Sequence, residues 1–155
     1  MEKRKELIVS AIENGTVIDH IPADKVFQVV KILGLDKVSN PVYFGTNVES
    51  KKYGTKGFVK ISDKFFAPED VNKISLVAPT ASIIEIKDFE VINKQTVKIP
   101  ERIEKIVKCF NPNCVTNKEH DIPTKFRVKF DAEGKLRLVC HYCEKYTSEE
   151  NIEFL

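Results

Sequence analysis

Short hydrophobic runs alternate with polar segments through the first hundred residues, and their length and spacing separate strands from helices. Five of the runs are rich in β-branched and aromatic side chains and are bounded by glycine, proline or charged residues, which is typical of strands. The predicted strands cover residues 16–21, 41–47, 56–61, 82–86 and 89–93.

Two further segments have helical features. In residues 24–35, Val26, Val30 and Leu33 recur at helical spacing, and Gly34 lies where a helix would stop. A second helix is predicted to begin at Pro68, because proline is tolerated in the first turn and the two acids after it favour the positive end of the helix dipole. The resulting order, β-α-β-β-α-β with one more strand, predicts a ferredoxin-like α/β sandwich with an antiparallel sheet and two helices.

The last third of the chain has a different pattern. Residues 126–130 and 136–139 alternate as an antiparallel hairpin would, around the turn at residues 131–134. Residues 98–101 have the character of a linker because Pro100 interrupts any strand ladder. We therefore predict an α+β protein with two domains, residues 1–99 and a small all-β domain of residues 100–155.

Four cysteines lie in this second domain, as CFNPNC, then 25 intervening residues, then CHYC. Two tight loops that each present two thiolates give Zn²⁺ a closed tetrahedral shell, with no open position for a substrate water. A domain this small buries little apolar surface, so the metal would supply on the order of 10 kcal/mol of its folding free energy. The predicted ligands are Cys109, Cys114, Cys140 and Cys143.

The same cysteines could instead form a redox pair or two disulfides, although a redox pair would leave the second pair of cysteines without a role. His120 and His141 are expected at the surface, because four sulfurs already fill the shell. Zinc ribbons of this spacing also occur in nucleic-acid-binding proteins, while a metal-dependent enzyme would need an open zinc position.

Composition and charge narrow the possible locations and partners. The chain has 155 residues and a formal net charge of +2. Basic and acidic residues number 15 and 13 before Pro100 and 10 and 10 after it, so neither half has the positive field that nonspecific nucleic-acid binding requires. No apolar run approaches the ~20 residues of a membrane span, and no secretory signal is evident. We expect a cytoplasmic protein without membrane or nucleic-acid partners.

An acid and a histidine adjoin at the end of the first predicted strand, in GTVIDHIP. On a regular strand, Asp19 would share a face with Val17 and Ile21, while His20 would share the other with Ile18. This alternation argues against a catalytic dyad, and no convincing nucleophile accompanies the two residues. From these residues alone, capping of a strand end and ligand binding are equal alternatives.

Five motifs together resemble the regulatory chain of aspartate carbamoyltransferase. They are GTVIDHIPA, YGTKGFVKI, FEVINK, IPERIEKIVKC and CHYCEK. The resemblance extends over essentially the whole chain and joins a ferredoxin-like domain to a four-cysteine domain of matching spacing. It implies a non-catalytic polypeptide whose first domain binds CTP and ATP at one site, with UTP assisting in some members, and whose zinc domain contacts the catalytic chains in pyrimidine biosynthesis. It also implies a regulatory homodimer, with three such dimers bridging two catalytic trimers.

The resemblance also implies residue roles. Asp19 would bind the ribose hydroxyls and His20 the phosphates, and the effector-binding set is Ala11, Ile12, Val17, Asp19, His20, Lys60, Ile86, Val91 and Lys94. By themselves, Lys60 and Lys94 would more often be solvated strand lysines. Residues implied at the catalytic-chain interface are Asn111, Asn113, Glu144 and Lys145, which would otherwise be ordinary exposed loop residues.

Three positions depart from the family pattern near the implied nucleotide. Glu6 replaces a lysine, Ile84 replaces a polar amide, and Phe89 replaces a tyrosine. Glu6 and Ile84 remove groups that favour an anionic ligand, although Lys5 is placed to substitute in part for the missing lysine. We therefore expect nucleotide binding to be retained, with altered affinity and effector ranking.

Overall fold

A computed structural model describes residues 11–51 and 54–155. Contacts along the chain divide it into two compact units, one ending at Lys98 and the other comprising Ile99–Leu155. The first unit combines helices with an antiparallel sheet, and the second is built on a smaller antiparallel sheet. The predicted α+β class is confirmed.

The first unit is a five-stranded sheet with two helices. Its elements are β1 (Gly15–Ile21), α1 (Val26–Ile32), β2 (Val42–Ser50), β3 (Gly54–Ser62), α2 (Pro68–Val77), β4 (Ser82–Lys87) and β5 (Glu90–Thr96). The strand order is β2-β3-β1-β4-β5, and every neighbouring pair is antiparallel. The first four strands and two helices form the ferredoxin-like sandwich, and a hairpin adds β5 at one edge.

One face of this sheet packs against the helices. Ile18, Val59 and Ile61 are fully buried there, as is Val26 at the start of α1. At Gly57 the helix and β3 approach so closely that an added Cβ would lie 2.0 Å from Cγ2 of Val26. The absence of a side chain at this position therefore sets the distance between α1 and the sheet.

A β-bulge interrupts β1 and corrects the predicted alternation of side chains. The pairing of β1 with β3 shifts between Ile18 and Ile21, and His20 has a positive φ of 57°. Because the bulge inserts one extra residue, Ile21 returns to the buried face with Ile18 instead of sharing a face with Asp19. The prediction that Asp19 shares a face with Ile21 assumed regular geometry and is wrong here. Within the bulge, the Nδ1 atom of His20 lies 3.9 Å from a carboxylate oxygen of Asp19.

Further differences concern element boundaries. The predicted helix of residues 24–35 divides into a 3-10 turn at Ala23–Lys25 and the shorter α1. Gly34, with φ 66°, ends the helical segment, and its N–H donates a hydrogen bond to the carbonyl of Lys31 at 3.0 Å. The strands β2, β3 and β5 all extend beyond the predicted ranges, because ladder pairing continues through the polar residues that flank each hydrophobic run.

The second unit contains a four-stranded antiparallel sheet of order β6-β7-β8-β9. Its elements are β6 (Arg102–Glu104), α3 (Val115–Lys118), β7 (Lys125–Phe130), β8 (Leu136–Cys140) and β9 (Tyr146–Ser148). The hairpin β7–β8 follows the prediction, with Gly134 at φ 80° in its turn. The elements β6, α3 and β9 were not predicted, because three or four residues are too few to establish a periodic pattern.

Within residues 11–51 and 54–155, no helix has the length and apolar character needed to span a membrane.

Candidate functional site

Five side chains form a row across the first sheet, on the face opposite α1. Val17 of β1 lies directly between Lys60 of β3 and Ile84 of β4 in the ladder. Tyr43 of β2 extends the row beyond Lys60, and Lys94 of β5 extends it beyond Ile84. Directly paired residues project from the same face of a sheet, so these five residues form one surface, which we call the open row.

The open row brings together residues that are far apart in the sequence. Tyr43 and Lys94 are exposed, while Lys60, Val17 and Ile84 are half-buried. Lysines therefore occupy two positions that are separated by two apolar side chains in the middle of the row. Three strand spacings separate Lys60 from Lys94, which is about 14 Å along the sheet. This arrangement offers cationic groups at separate points on an otherwise apolar surface.

Asp19 lies on the same face as the open row and forms an ion pair. The Nζ atom of Lys56 lies 2.9 Å from one carboxylate oxygen of Asp19 and 3.0 Å from the other. The backbone N–H of His20 also donates to Asp19 at 2.8 Å, an arrangement that the bulge makes possible. Burial opposes ionisation of Asp19, but the hydrogen bonds from Lys56 and His20 outweigh it and lower the pKa of the carboxyl.

The backbone of His20 is held in place by a second element. Its carbonyl oxygen accepts a hydrogen bond from the hydroxyl of Thr80 at 2.8 Å. The bulge is thus fixed on one side by the side chain of Asp19 and on the other by the loop that precedes β4. The side chains of Asp19 and His20 therefore lie next to each other at the end of β1.

The remaining predicted effector residues lie at several places in the first unit. Ile86 pairs with Val91 across a register shift between β4 and β5, and Val91 is exposed. Ala11 is exposed and Ile12 is buried, just before β1. Lys5 and Glu6 lie outside the described residues.

Phe89 occupies the turn between β4 and β5. Its side chain is 65% exposed, its φ is 64°, and its backbone N–H donates to the carbonyl of Glu13 at 2.9 Å. The backbone of this turn is thus tied to the segment that precedes β1. Ile84 lies in the open row next to Val17.

The four cysteines of the second unit converge on one point. Their sulfur atoms all lie within 4.8 Å of one another, and the Cys109–Cys143 and Cys114–Cys140 sulfur pairs are each 3.7 Å apart. A tetrahedron with Zn–S distances of about 2.3 Å has edges of about 3.8 Å, so the arrangement fits a tetrahedral thiolate site. All four are free thiols at separations well beyond the ~2.05 Å of a disulfide bond, which argues against the disulfide alternative.

Hydrogen bonds reach the sulfurs from the surrounding loops. Burial raises the pKa of the Cys109 and Cys140 thiols, so gathering their thiolates needs a cation to offset the desolvation. Burial also acts on Cys143, but hydrogen bonds from the side chain of Asn111 and the backbone of Lys145 outweigh it and lower its pKa to about 7. The loops therefore supply N–H donors that favour the thiolate form, as in a metal site with ordered outer groups.

Asn111 and Asn117 organise the first cysteine loop. The amide nitrogen of Asn117 donates to the carbonyls of Cys109 and Asn111, at 2.9 and 2.7 Å. The side-chain oxygen of Asn111 accepts from the N–H of Asn113 at 3.1 Å. Asn111, which was predicted at an interface, therefore has a local structural role in the loop.

The other predicted interface residues are at the surface of the same unit. Asn113, Glu144 and Lys145 are all exposed. Beside them is a shallow, mostly apolar cavity of about 380 Å³, which we call the knuckle cavity, lined by Cys109, Phe110, Asn111, Pro112, Lys145 and Tyr146. The rings of Phe110 and Tyr146 are 59% and 48% exposed, so an apolar surface adjoins the polar loop tips.

Sequence reasoning missed several of these residues. Lys56 and Lys60 are four residues apart on one strand, so period-2 alternation could have placed them on one face. The ion pair of Lys56 with Asp19, however, depends on the bulge between Ile18 and Ile21, which the sequence does not indicate. Tyr43 joins the open row only through the register of β2 with β3. Asn117 lies outside the cysteine motifs, and no local signal identifies it as a support of the first loop.

Comparison with known proteins identifies both units. A family model described as the aspartate carbamoyltransferase regulatory chain, allosteric domain, matches residues 7–98. A second model, described as the metal binding domain of the same regulatory chain, matches residues 101–153. The four cysteines lie within the second match, so the matched domain description agrees with a cluster that could hold a metal ion.

Full-length relatives lead to the same family. A regulatory chain from Pyrococcus horikoshii is 52% identical over 149 residues, covering 95% of this chain and 96% of the relative. A regulatory chain from Bacteroides thetaiotaomicron is 46% identical over 154 residues, covering 99% of each. Since both units are matched and the relatives align along nearly their whole length, this chain belongs to the aspartate carbamoyltransferase regulatory-chain family and is, as predicted, a regulatory and not a catalytic polypeptide.

Proposed function

We propose that residues 1–99 form a nucleotide sensor and that residues 100–155 form a zinc-held domain that contacts the catalytic chains of aspartate carbamoyltransferase. The observation that carries the first half of this proposal is the open row, which aligns Lys60 and Lys94 on one face of the sheet with Val17 and Ile84 between them. The family description of this region as an allosteric domain supports the same assignment.

The chemistry of the open row suits a nucleoside triphosphate. One ammonium group would bind the triphosphate as a point charge, the other would reach the ribose-base edge, and the apolar surface between them accommodates the base and ribose. Two lysines about 14 Å apart along the sheet favour an elongated anion over a single phosphate ion. CTP and ATP are the proposed effectors, with UTP as a third ligand, and Ala11, Ile12, Ile86 and Val91 complete the proposed pocket.

Asp19 and His20 would contact the ligand beside the row. The carboxylate of Asp19 is an acceptor for ribose hydroxyls, and Lys56, which pairs with it, keeps it ionised. The imidazole of His20 would face the phosphates. The side chain of Ile84 offers no hydrogen bond in the middle of the row, so we expect the two lysines to dominate the affinity for the nucleotide.

Binding of the effector is tested with single lysine variants. We expect Lys60→Ala and Lys94→Ala each to weaken CTP and ATP binding at least tenfold, or about 1.4 kcal/mol, measured by calorimetry. Lys31→Ala is the matched control, because Lys31 is an exposed lysine on α1, on the other side of the sheet. Affinities unchanged in both row variants would refute the pocket.

The second half of the proposal is supported by the cysteine geometry and by the surface next to it. Zinc is the proposed ion, because four thiolates in a closed shell are typical of structural zinc and leave no site for catalysis. Held by the ion, the exposed Asn113, Glu144 and Lys145 and the apolar knuckle cavity form one surface. We expect it to contact the catalytic chain, with Phe110 and Tyr146 as apolar anchors.

The proposed assembly has regulatory dimers that join catalytic trimers, three dimers to two trimers. In the first unit, β2 is an edge strand with exposed Tyr43, Phe44 and Val48, which gives the dimer a suitable surface. A nucleotide would regulate the enzyme by binding one quaternary state more tightly than the other, typically by 1–3 kcal/mol. The proposed location of the protein is the cytoplasm, where pyrimidines are synthesised.

The partner assignment is tested by mixing the zinc-loaded chain with purified catalytic trimer and measuring the mass of the complex. We expect a complex with the intact chain and at least tenfold weaker association for Phe110→Ser. Phe130→Ser is a matched control, because Phe130 is similarly exposed at 57% and lies at the far end of β7. Equal association of both variants would remove the knuckle cavity from the interface.

A further inference from the structure

Charge is distributed unevenly over the outer face of the second sheet. Arg102 of β6 lies directly opposite Arg127 of β7, and Glu104 lies opposite Lys125 in the next outward-facing pair. The residues between them, Ile103 and Phe126, are buried on the inner face. The equal numbers of acidic and basic residues in this unit thus conceal a local excess of cations at the β6–β7 edge.

These residues line a cleft of about 200 Å³, which we call the arginine cleft. Its lining residues are Arg102, Glu104, Lys125, Phe126, Arg127 and His141. His141 comes from the second cysteine loop, and its backbone N–H donates to the carbonyl of Lys125 at 2.9 Å. Three chain segments therefore converge on the cleft.

The cations of the arginine cleft have no ion-pair partner in the part of the chain that the structure describes. The ion pairs found there involve Lys56, Lys135 and Arg137, all outside the cleft. Like charges directly opposite each other on neighbouring strands destabilise a sheet, so the Arg102–Arg127 pair weakens the fold at this point. An anion bound between the two guanidinium groups would remove that repulsion.

We propose that the arginine cleft is a binding site for a small anion that carries a phosphate group. Two guanidinium groups present paired N–H donors that match phosphate oxygens, and Lys125 adds a point charge. The cleft is smaller than the roughly 300–1,000 Å³ of sites for drug-sized ligands, so it suits a phosphate ion or a short phosphate ester better than a nucleotide. Glu104 repels further negative charge at one side and limits the ligand to a single anionic group.

This site is separate from the open row, since it belongs to the other unit and uses different residues. Its existence does not depend on the proposed nucleotide function. A chain that does not bind nucleotides could still bind phosphate in the arginine cleft. Equally, a chain without phosphate binding in the cleft could still bind nucleotides.

The test uses the metal-loaded full chain and two probes, inorganic phosphate and methyl phosphate, titrated against chloride at constant ionic strength. Backbone amide NMR signals of Ile103, Phe126 and His141 report on the cleft and separate it from the lysines of the first unit. We expect both probes to shift these signals saturably. A response to inorganic phosphate alone would restrict the ligand to the free ion, and a response to methyl phosphate alone would restrict it to esters.

Variants that remove one positive charge, inside or outside the cleft, test which cations bind the phosphate. We expect Arg102→Gln and Arg127→Gln each to weaken phosphate binding at least tenfold, while Lys108→Gln, which removes an exposed charge outside the cleft, leaves it unchanged. Metal content and the remaining amide spectrum confirm that each variant is folded. In low salt without phosphate, Arg127→Gln should also melt at a higher temperature than the original chain, because the opposed charges are gone.

Two results would overturn the proposal. In the first, neither phosphate probe shifts the cleft signals more than chloride does, or both arginine variants bind phosphate as the original chain does. In the second, a short polyglutamate peptide shifts the same signals while both phosphate probes leave them unchanged, which would make the cleft a docking surface for an acidic protein segment.

Discussion

The two units of this chain hold their structures by different means. Of the twelve largest fully buried side chains among the described residues, eight are in the first unit, among them Ile18, Ile61 and Ile74, and four are in the second. The second unit adds four cysteines, three of them buried, whose sulfurs meet within 4.8 Å. The first unit has the larger core, and the second adds to its smaller core a cysteine cluster that could hold a metal ion.

This difference determines what each unit can do. A sheet with one face packed on helices keeps its other face available, and the register across five strands positions the open row there. The second unit instead presents exposed loop residues, such as Asn113 and Glu144, next to cysteines of a cluster that could hold a metal ion. Under the proposed function, sensing a small molecule and contacting a large partner therefore fall to different kinds of structure.

Removal of the metal should have the largest effect and should affect the two units unequally. Chelation removes on the order of 10 kcal/mol from the second unit, more than a small core supplies, so we expect residues 99–155 to unfold. The sheet of the first unit should persist. Amide hydrogen exchange measured residue by residue would resolve the two units, and slow exchange at Leu138 in the stripped chain would contradict the contrast between them.

Substitution of Gly57 should destabilise the first unit and not the second, and its effect should be smaller than that of metal removal. An added Cβ would lie 2.0 Å from Cγ2 of Val26, so Gly57→Ala forces α1 away from β3. We expect about 1–3 kcal/mol of destabilisation in the first unit and none in the second. Urea denaturation followed by exchange measures both, with Thr55→Ala, at an exposed position on the same strand, as a control that should change stability by less than about 0.5 kcal/mol.

The ion pair of Asp19 with Lys56 should have the smallest effect and should depend on pH. The folded-state pKa of Asp19 is lowered, so its contribution is present above the unfolded value of about 3.9 and is lost as pH falls through the folded value. In Asp19→Asn, we expect a loss on the order of 1 kcal/mol of first-unit stability at neutral pH and a flatter stability curve below pH 4. If the stability of Asp19→Asn varied with pH below pH 4 as that of the original chain does, the ion pair with Lys56 would not stabilise the first unit.

Sequence patterns predicted the parts of this molecule that are determined locally. The order of strands and helices in the first unit follows from hydrophobic period, and Gly34 and Pro68 mark helix boundaries where expected. The cysteine spacing also predicted the cluster, because two tight loops leave few ways to arrange four sulfurs. These features depend on residues close together in the sequence.

Features that depend on register could not be predicted. The bulge at His20 reverses the side on which Ile21 lies, and no local signal in GTVIDHIP marks the extra residue. The placement of Tyr43 beside Lys60, and of Arg102 beside Arg127, requires the pairing of strands that are distant in the chain. The charge balance of the second half likewise gave no indication of the arginine cleft.

The proposed function requires that nucleotide binding by the first unit be independent of the metal in the second. The most direct measurement is to strip the chain of metal and, on that same sample, determine both CTP affinity by calorimetry and association with the catalytic trimer by mass. We predict that CTP affinity stays within about twofold of the loaded chain while association with the trimer is lost, and that zinc restores it. Loss of CTP binding on chelation, or full association without metal, would contradict that independence.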